Sequence, residues 1–132
     1  MKVFIYFNLH KRCFSVKALS GPQKGRVVAH TSAVVLADAS FKVSAAGRAR
    51  VLAEKRKNVH AGVVGTWHSA FSGPPVSVNV TMDGVKIIYN PYKYTSFVEK
   101  GTEQPIYNAP LVIMDMVRGF PLIVSYSVAM VE

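Results

Sequence analysis

Short runs of β-branched and aromatic residues, each cut off by Gly, Pro or Asn, fill nearly all of this chain. That punctuation leaves room for one convincing helix. Residues 2–7 (KVFIYF) read as a buried strand. Residues 13–19 alternate, with Phe14, Val16 and Ala18 on one face and Ser15 and Lys17 on the other. A Gly/Pro loop at 20–25 separates them from short strands at 26–30 and 33–37, and Phe41-Lys42-Val43 leads into the helix. Residues 59–67 return as a strand in which Gly62 and Gly65 mark a bend or a close backbone approach. Ser72-Gly73-Pro74-Pro75 is a break, and Val76, Val78 and Val80 then alternate with polar residues. Asp83-Gly84 signals a tight hairpin before a strand at 85–89. Further strands follow at 94–98 and 111–117, with a turn at 100–105 and residues 106–108 pairing back. Arg118-Gly119 turns the chain into a last apolar strand starting at Phe120. The expected fold is a single domain over residues 1–132 of the α+β class. It is mainly antiparallel, a curled sheet or small barrel, with one basic helix around residues 45–58.

That helix lies within residues 44–65 (SAAGRARVLAEKRKNVHAGVVG). Ser44 suits the N-cap, because its hydroxyl accepts from an orphan amide of the first turn. Gly47 inside the helix costs about 1 kcal/mol relative to Ala. Asn58 suits a left-handed stop. At about 100° per residue, Ala45, Ala49, Leu52 and Ala53 make the expected apolar stripe. Arg48 and Lys55 flank it on one side, Arg50 and Lys57 on the other, and Arg56 adds a fifth cation. The one acid, Glu54, cannot neutralise them.

The charge is lopsided as well as large. Residues 1–60 hold 12 Lys/Arg and 2 acids, a net +10, whereas residues 61–132 hold 4 and 5, a net −1, for +9 in all. A solvated, solubilising helix face is one reading of this. The other is a directed anionic partner, since clustered Lys/Arg is the electrostatic footprint of phosphate binding. Cys13 is the lone cysteine, so no internal disulfide forms and a reducing compartment is expected. Polar Asn8, His10, Lys11 and Arg12 follow the first apolar run too soon for a signal peptide. The apolar run at 120–131 falls short of the roughly 20 residues a spanning helix needs, so no membrane partner is expected.

Candidate chemistry centres on the histidines. His10 lies in a turn beside Lys11 and Arg12, His30 ends a strand, and His60 follows the basic helix. Two imidazoles and a cation can cleave RNA without metal: one takes the 2′-hydroxyl proton, one protonates the leaving oxygen, and the cation stabilises the phosphorane. An isolated histidine near basic residues is more often structural. No HxH, HxxxH or HExxH occurs and the acids are scattered, so neither a metal site nor another cofactor is expected. Clustered carboxylates for two-metal chemistry, GxSxG, P-loop and GxGxxG are all absent. Asn90-Pro91-Tyr92-Lys93-Tyr94 is a turn whose Tyr92 and Tyr94 could stack bases around the Lys93 cation, the competing reading being a structural corner. Trp67, beside His68, reads as core, the competing reading being a stacking platform.

The segments IYFNLHKRCFSV, GRVVAH, GRARVLAEKRKNVHAGVVG and NPYKYTSFV resemble those of small proteins of tailed bacteriophages and prophages, over roughly residues 3 to 98, with the NLHK and NPYKY stretches the most specific. No activity is established for that family, so no catalytic residue carries over. The resemblance implies an accessory or host-interaction protein in the cytoplasm of an infected bacterium.

Three expectations follow. The first is a binding protein for nucleic acid or a nucleotide signal, acting in host takeover or counter-defence, with phosphate held by Lys11, Arg12, Arg48, Arg50, Lys55, Arg56, Lys57 and Lys93. The second is a metal-free endoribonuclease or nucleotide-cleaving enzyme using His10, His30 or His60. The third is an inhibitor docking an acidic host protein. Homodimerisation through the edge of the apolar C-terminal strand is open in each case.

Overall fold

A computed structural model describes residues 1–55, 59–68 and 84–126. Nine strands among them form one antiparallel sheet: β1 (Lys2–Asn8), β2 (Cys13–Ala18), β3 (Val27–Thr31), β4 (Ala33–Val43), β5 (Ala61–His68), β6 (Val85–Ile88), β7 (Val98–Glu99), β8 (Asn108–Val117) and β9 (Phe120–Tyr126). Their order across the sheet is β3-β2-β1-β5-β4-β8-β9-β6-β7. The sheet has two edges and is curled rather than closed, so of the two expected forms the curled sheet is the one adopted. A single helix, α1 (Ala45–Glu54), connects β4 to β5.

The core follows from the alternation of side chains along each strand. Val3 and Ile5 of β1, Phe14 and Val16 of β2, Leu36 of β4, Val63 of β5 and Met114 of β8 are all buried in one cluster. Burying each such side chain is worth about 1.5–3 kcal/mol. In the middle of β4, successive residues Val34, Val35 and Leu36 are at most 1% exposed although they point to opposite faces. Both faces of the sheet are therefore covered there, which explains an apolar run without alternation.

Several expected boundaries shift. The strands expected at 33–37 and 41–43 are one strand, β4, whose register slips between Ala37 and Ser40. Asp38 takes up the extra residue in a left-handed conformation, φ 49°. The strand expected at 94–98 is only Val98–Glu99, because the backbone carbonyl of Asn90 accepts the amides of Lys93 and Tyr94 and wraps the chain into a turn. Residues 106–108 do pair back: the Ile106 amide donates to Phe97 O and the Phe41 amide to Tyr107 O. Arg118 and Gly119 form a two-residue hairpin with positive φ at both positions, joining β8 to β9 with Val117 opposite Phe120. The alternating stretch at 76–80 and the first half of the Asp83-Gly84 signal lie outside the described residues, as does the end of the C-terminal apolar run.

The helix starts as expected and departs thereafter. Ser44 Oγ accepts from the Gly47 amide at 3.1 Å. The helix ends at Glu54, not near residue 58, with Lys55 left-handed at φ 54°. Arg56, Lys57 and Asn58 lie outside the described residues. Its buried positions are Gly47 and Val51, with Leu52 half-buried; Ala45, Ala49 and Ala53 are exposed, so the expected alanine stripe is not the docking face. Close approach is the reason. A Cβ on Gly47 would come within 2.6 Å of His60 Cβ, so the helix seats where it has no side chain. Beyond Leu52 the segment offers no apolar anchor to hold another turn.

Candidate ligand-binding cavity

Asn8 organises the turn between β1 and β2. Its Oδ1 accepts the amides of His10 and Lys11, both at 3.0 Å, and its Nδ2 donates to Ser15 Oγ at 3.1 Å. Ser15 Oγ lies 3.0 Å from His30 Nδ1. This Ser-His-Asn arrangement is no nucleophile, because Ser15 is fully buried. It ties the NLHK turn to β3. Lys11 and Arg12 project from that turn exposed.

Asn90 plays the same part in the NPYKY turn. Its Oδ1 accepts the Tyr92 amide at 2.9 Å while its carbonyl closes the turn. Tyr92 is left 65% exposed at the tip. Lys93 pairs with Glu103 at 2.9 Å and sits 5.2 Å from the centre of the Tyr94 ring. The Glu103 carboxylate raises the Lys93 ammonium above its ordinary value. Lys93 is thus the one expected phosphate ligand committed to an ion pair among the described residues.

The two turns, separated by some eighty residues of sequence, line one cavity of about 910 Å³. Asn8 and Leu9 stand on one side, Asn90, Pro91 and Tyr92 on another, and Val51, Val59 and His60 come from the end of the helix and the chain after it. The interior is apolar, with Ile5, Phe14, Val63, Ile87 and Met114 among its walls. Polar groups reach it at few points. The principal one is Tyr89, whose hydroxyl lies 2.8 Å from His60 Nε2. Tyr89 also packs on His60 edge-on and on Phe97, which in turn contacts Phe41. Burial pushes the Tyr89 phenol above its ordinary value, and the adjacent Arg48 charge pulls the other way. Arg48 is held in place by its Nε, which donates to the Tyr94 carbonyl at 2.9 Å.

The expected site residues therefore fall into groups. His60 lines the cavity, whereas His10 and His30 do not; no pair of imidazoles faces it. Arg48 is half-buried beside Tyr89, while Arg50 and Lys55 are exposed on and just after the helix. Tyr92 lines the cavity and Tyr94 is half-buried beneath Lys93. Trp67 packs against the core, as expected. Among the described residues no three His, Cys, Asp or Glu side chains gather as metal ligands. Among them too, no helix is long and apolar enough to cross a membrane. Sequence reasoning missed Tyr89 and Asn8. The only signal for Tyr89 was its place at the end of an apolar strand, immediately before Asn90-Pro91.

A curled antiparallel sheet with one basic helix and a polar-rimmed apolar cavity is compatible with many binding proteins, and similarity in sequence narrows the class to bacteriophage proteins. The chain belongs to the family of the Mycobacterium phage L5 gene 82 protein, whose model matches residues 1–119. The Gene 82 protein of Mycobacterium phage L5 is 41% identical to it over 120 residues, 86% of this chain and 90% of that protein. The resemblance to small phage proteins thus holds and reaches past residue 98, through the β8–β9 hairpin turn. No solved structure matches the chain.

Proposed function

We propose that this phage protein binds a phosphate-bearing ligand, nucleic acid or a nucleotide signal, without catalysis, in the service of host takeover or counter-defence. One observation supports the reading: two basic stretches of the sequence, at residues 11–12 and 48–55, adjoin residues that line one cavity. Leu9, in the lining, comes two residues before Lys11, and Val51, also in the lining, directly follows Arg50 and comes four residues before Lys55; the cations themselves are not among the lining residues. Lys11, Arg12, Arg50 and Lys55 are exposed and make no ion pair among the described residues. Exposed, unneutralised cations next in sequence to the lining residues favour an anionic ligand. The single imidazole at the cavity favours binding over cleavage, since acid–base cleavage of RNA calls on two.

Fluorescence anisotropy of labelled single-stranded RNA, single-stranded DNA and labelled AMP at low salt tests the proposal. The expected result is saturable binding of at least one probe, weakened by the combined change Lys11→Ala and Arg12→Ala. Failure of every probe to bind overturns it.

A further inference from the structure

We infer that the cavity takes the base of a mononucleotide, with Tyr89 recognising the base edge, Tyr92 stacking at the mouth and the phosphate left on the basic rim. The inference rests on the phosphate-binding reading and names the ligand within it.

Size and wall chemistry come first. Small-molecule sites span about 300–1,000 Å³ and are apolar with a few placed polar groups. This cavity, at about 910 Å³, has that size and that balance. Among its polar groups the Tyr89 hydroxyl lies 2.8 Å from His60 Nε2 and is flanked by Arg48, which is itself anchored on Tyr94 O. A hydroxyl held in this way on an apolar wall can discriminate a ligand that offers a hydrogen-bonding edge from one that does not. At the mouth, the Asx bond from Asn90 fixes the backbone of Tyr92 and leaves its ring 65% exposed, the setting of a stacking platform. The matching Asx turn at Asn8, itself in the lining, fixes the Lys11 backbone and leaves the residue exposed.

Charge decides between anionic ligands of similar bulk. A fatty acid would match the apolar interior but brings one negative charge and no edge for Tyr89. A nucleotide monophosphate brings a second charge for Lys11, Arg12 and Lys55, a planar ring for Tyr92 and polar edge atoms for Tyr89. The cavity has the size for one base, and no cation is among its lining residues to track a polymer's backbone.

The test is displacement of methylanthraniloyl-labelled AMP from the full chain, read by fluorescence. The expected result is one saturable site, competed by unlabelled AMP and not by inorganic phosphate at equal concentration. Tyr89→Phe, which keeps the ring and removes the hydroxyl, should weaken binding about tenfold, the worth of one well-made hydrogen bond. Tyr92→Ala, on an exposed side chain, should weaken it by a similar factor. Tyr89→Phe should leave the anisotropy of labelled RNA unaltered, should the cations outside the cavity bind it. RNA binding without AMP binding overturns the cavity assignment and leaves the phosphate reading standing. AMP binding indifferent to both tyrosine changes, or a labelled fatty acid that saturates the cavity and resists AMP, also overturns it. Absence of binding to AMP, RNA and single-stranded DNA alike brings down both readings.

Discussion

For single side chains, the consequential positions are those where something must be missing or must stay neutral. Gly62 on β5 is the tightest example: a Cβ there would lie 2.5 Å from the Ile5 carbonyl oxygen and from the Phe4 ring. The strand partner is backbone and cannot swing away, so Gly62→Ala should destabilise the protein by about 1–3 kcal/mol, measured by urea denaturation. Tyr89 makes a different prediction, in pH. Its folded-state pKa lies above the ordinary value of 10.0, chiefly through burial. The unfolded chain therefore releases this proton first as pH rises. The stability that depends on neutral Tyr89 is fully present below the unfolded pKa and is lost as pH climbs through the folded one. Thermal melts should be insensitive to this group at neutral pH and should fall on the alkaline side of about pH 10, with Tyr89→Phe shallower there than the parent.

Among the elements, the helix is the one whose ends were half readable. Ser44 was recognisable as a cap from its residue type, and its bond to the Gly47 amide confirms the mechanism. Ser44→Ala should cost about 1 kcal/mol in chemical denaturation. The stop was misread because Asn58 looks like a left-handed residue and Lys55 does not, yet Lys55 takes φ 54°. A lysine there carries a backbone cost of about 1–2 kcal/mol that glycine would not. Lys55→Gly should therefore raise the melting temperature while weakening phosphate-ligand binding, a separation of stability from function measurable on one variant. The hairpin at Arg118-Gly119 follows the same logic with both residues left-handed. It was visible from its glycine.

In the whole molecule, neighbours in the sheet are distant in sequence. β5 lies between β1 and β4, and β4 pairs with β8 some seventy residues on. Such nonlocal pairing delays the reward for closing long loops, so stopped-flow refolding should fall in the millisecond-to-second range and not in microseconds. The sheet also determines the electrostatics. To the cavity lining the basic half of the sequence supplies β1, Phe14 of β2 and Val51 of α1, and the trailing half supplies Asn90, Pro91 and Tyr92. Lys93, expected as a phosphate ligand, is tied instead to Glu103. Lys93→Ala should thus change ligand affinity far less than Lys11→Ala with Arg12→Ala, in the same anisotropy titration. If the ligand is a single strand, the double variant should also lower the slope of log affinity against log salt by about 0.7 per lost phosphate contact.

The amino-acid order alone decided the class of this protein: β-branched runs bounded by Gly and Pro settle where strands can run, and one capped stretch is left to be helical, because these preferences act within a few residues. It also marked NLHK and NPYKY as unusual turns. It could not say that the two turns share a cavity with His60, that Gly47 rather than the alanines is where the helix docks, or that Tyr89 is the polar group on an apolar wall. Those facts depend on strand order and curl. They come from packing between segments tens of residues apart, and no local preference encodes which distant strand a given edge will meet.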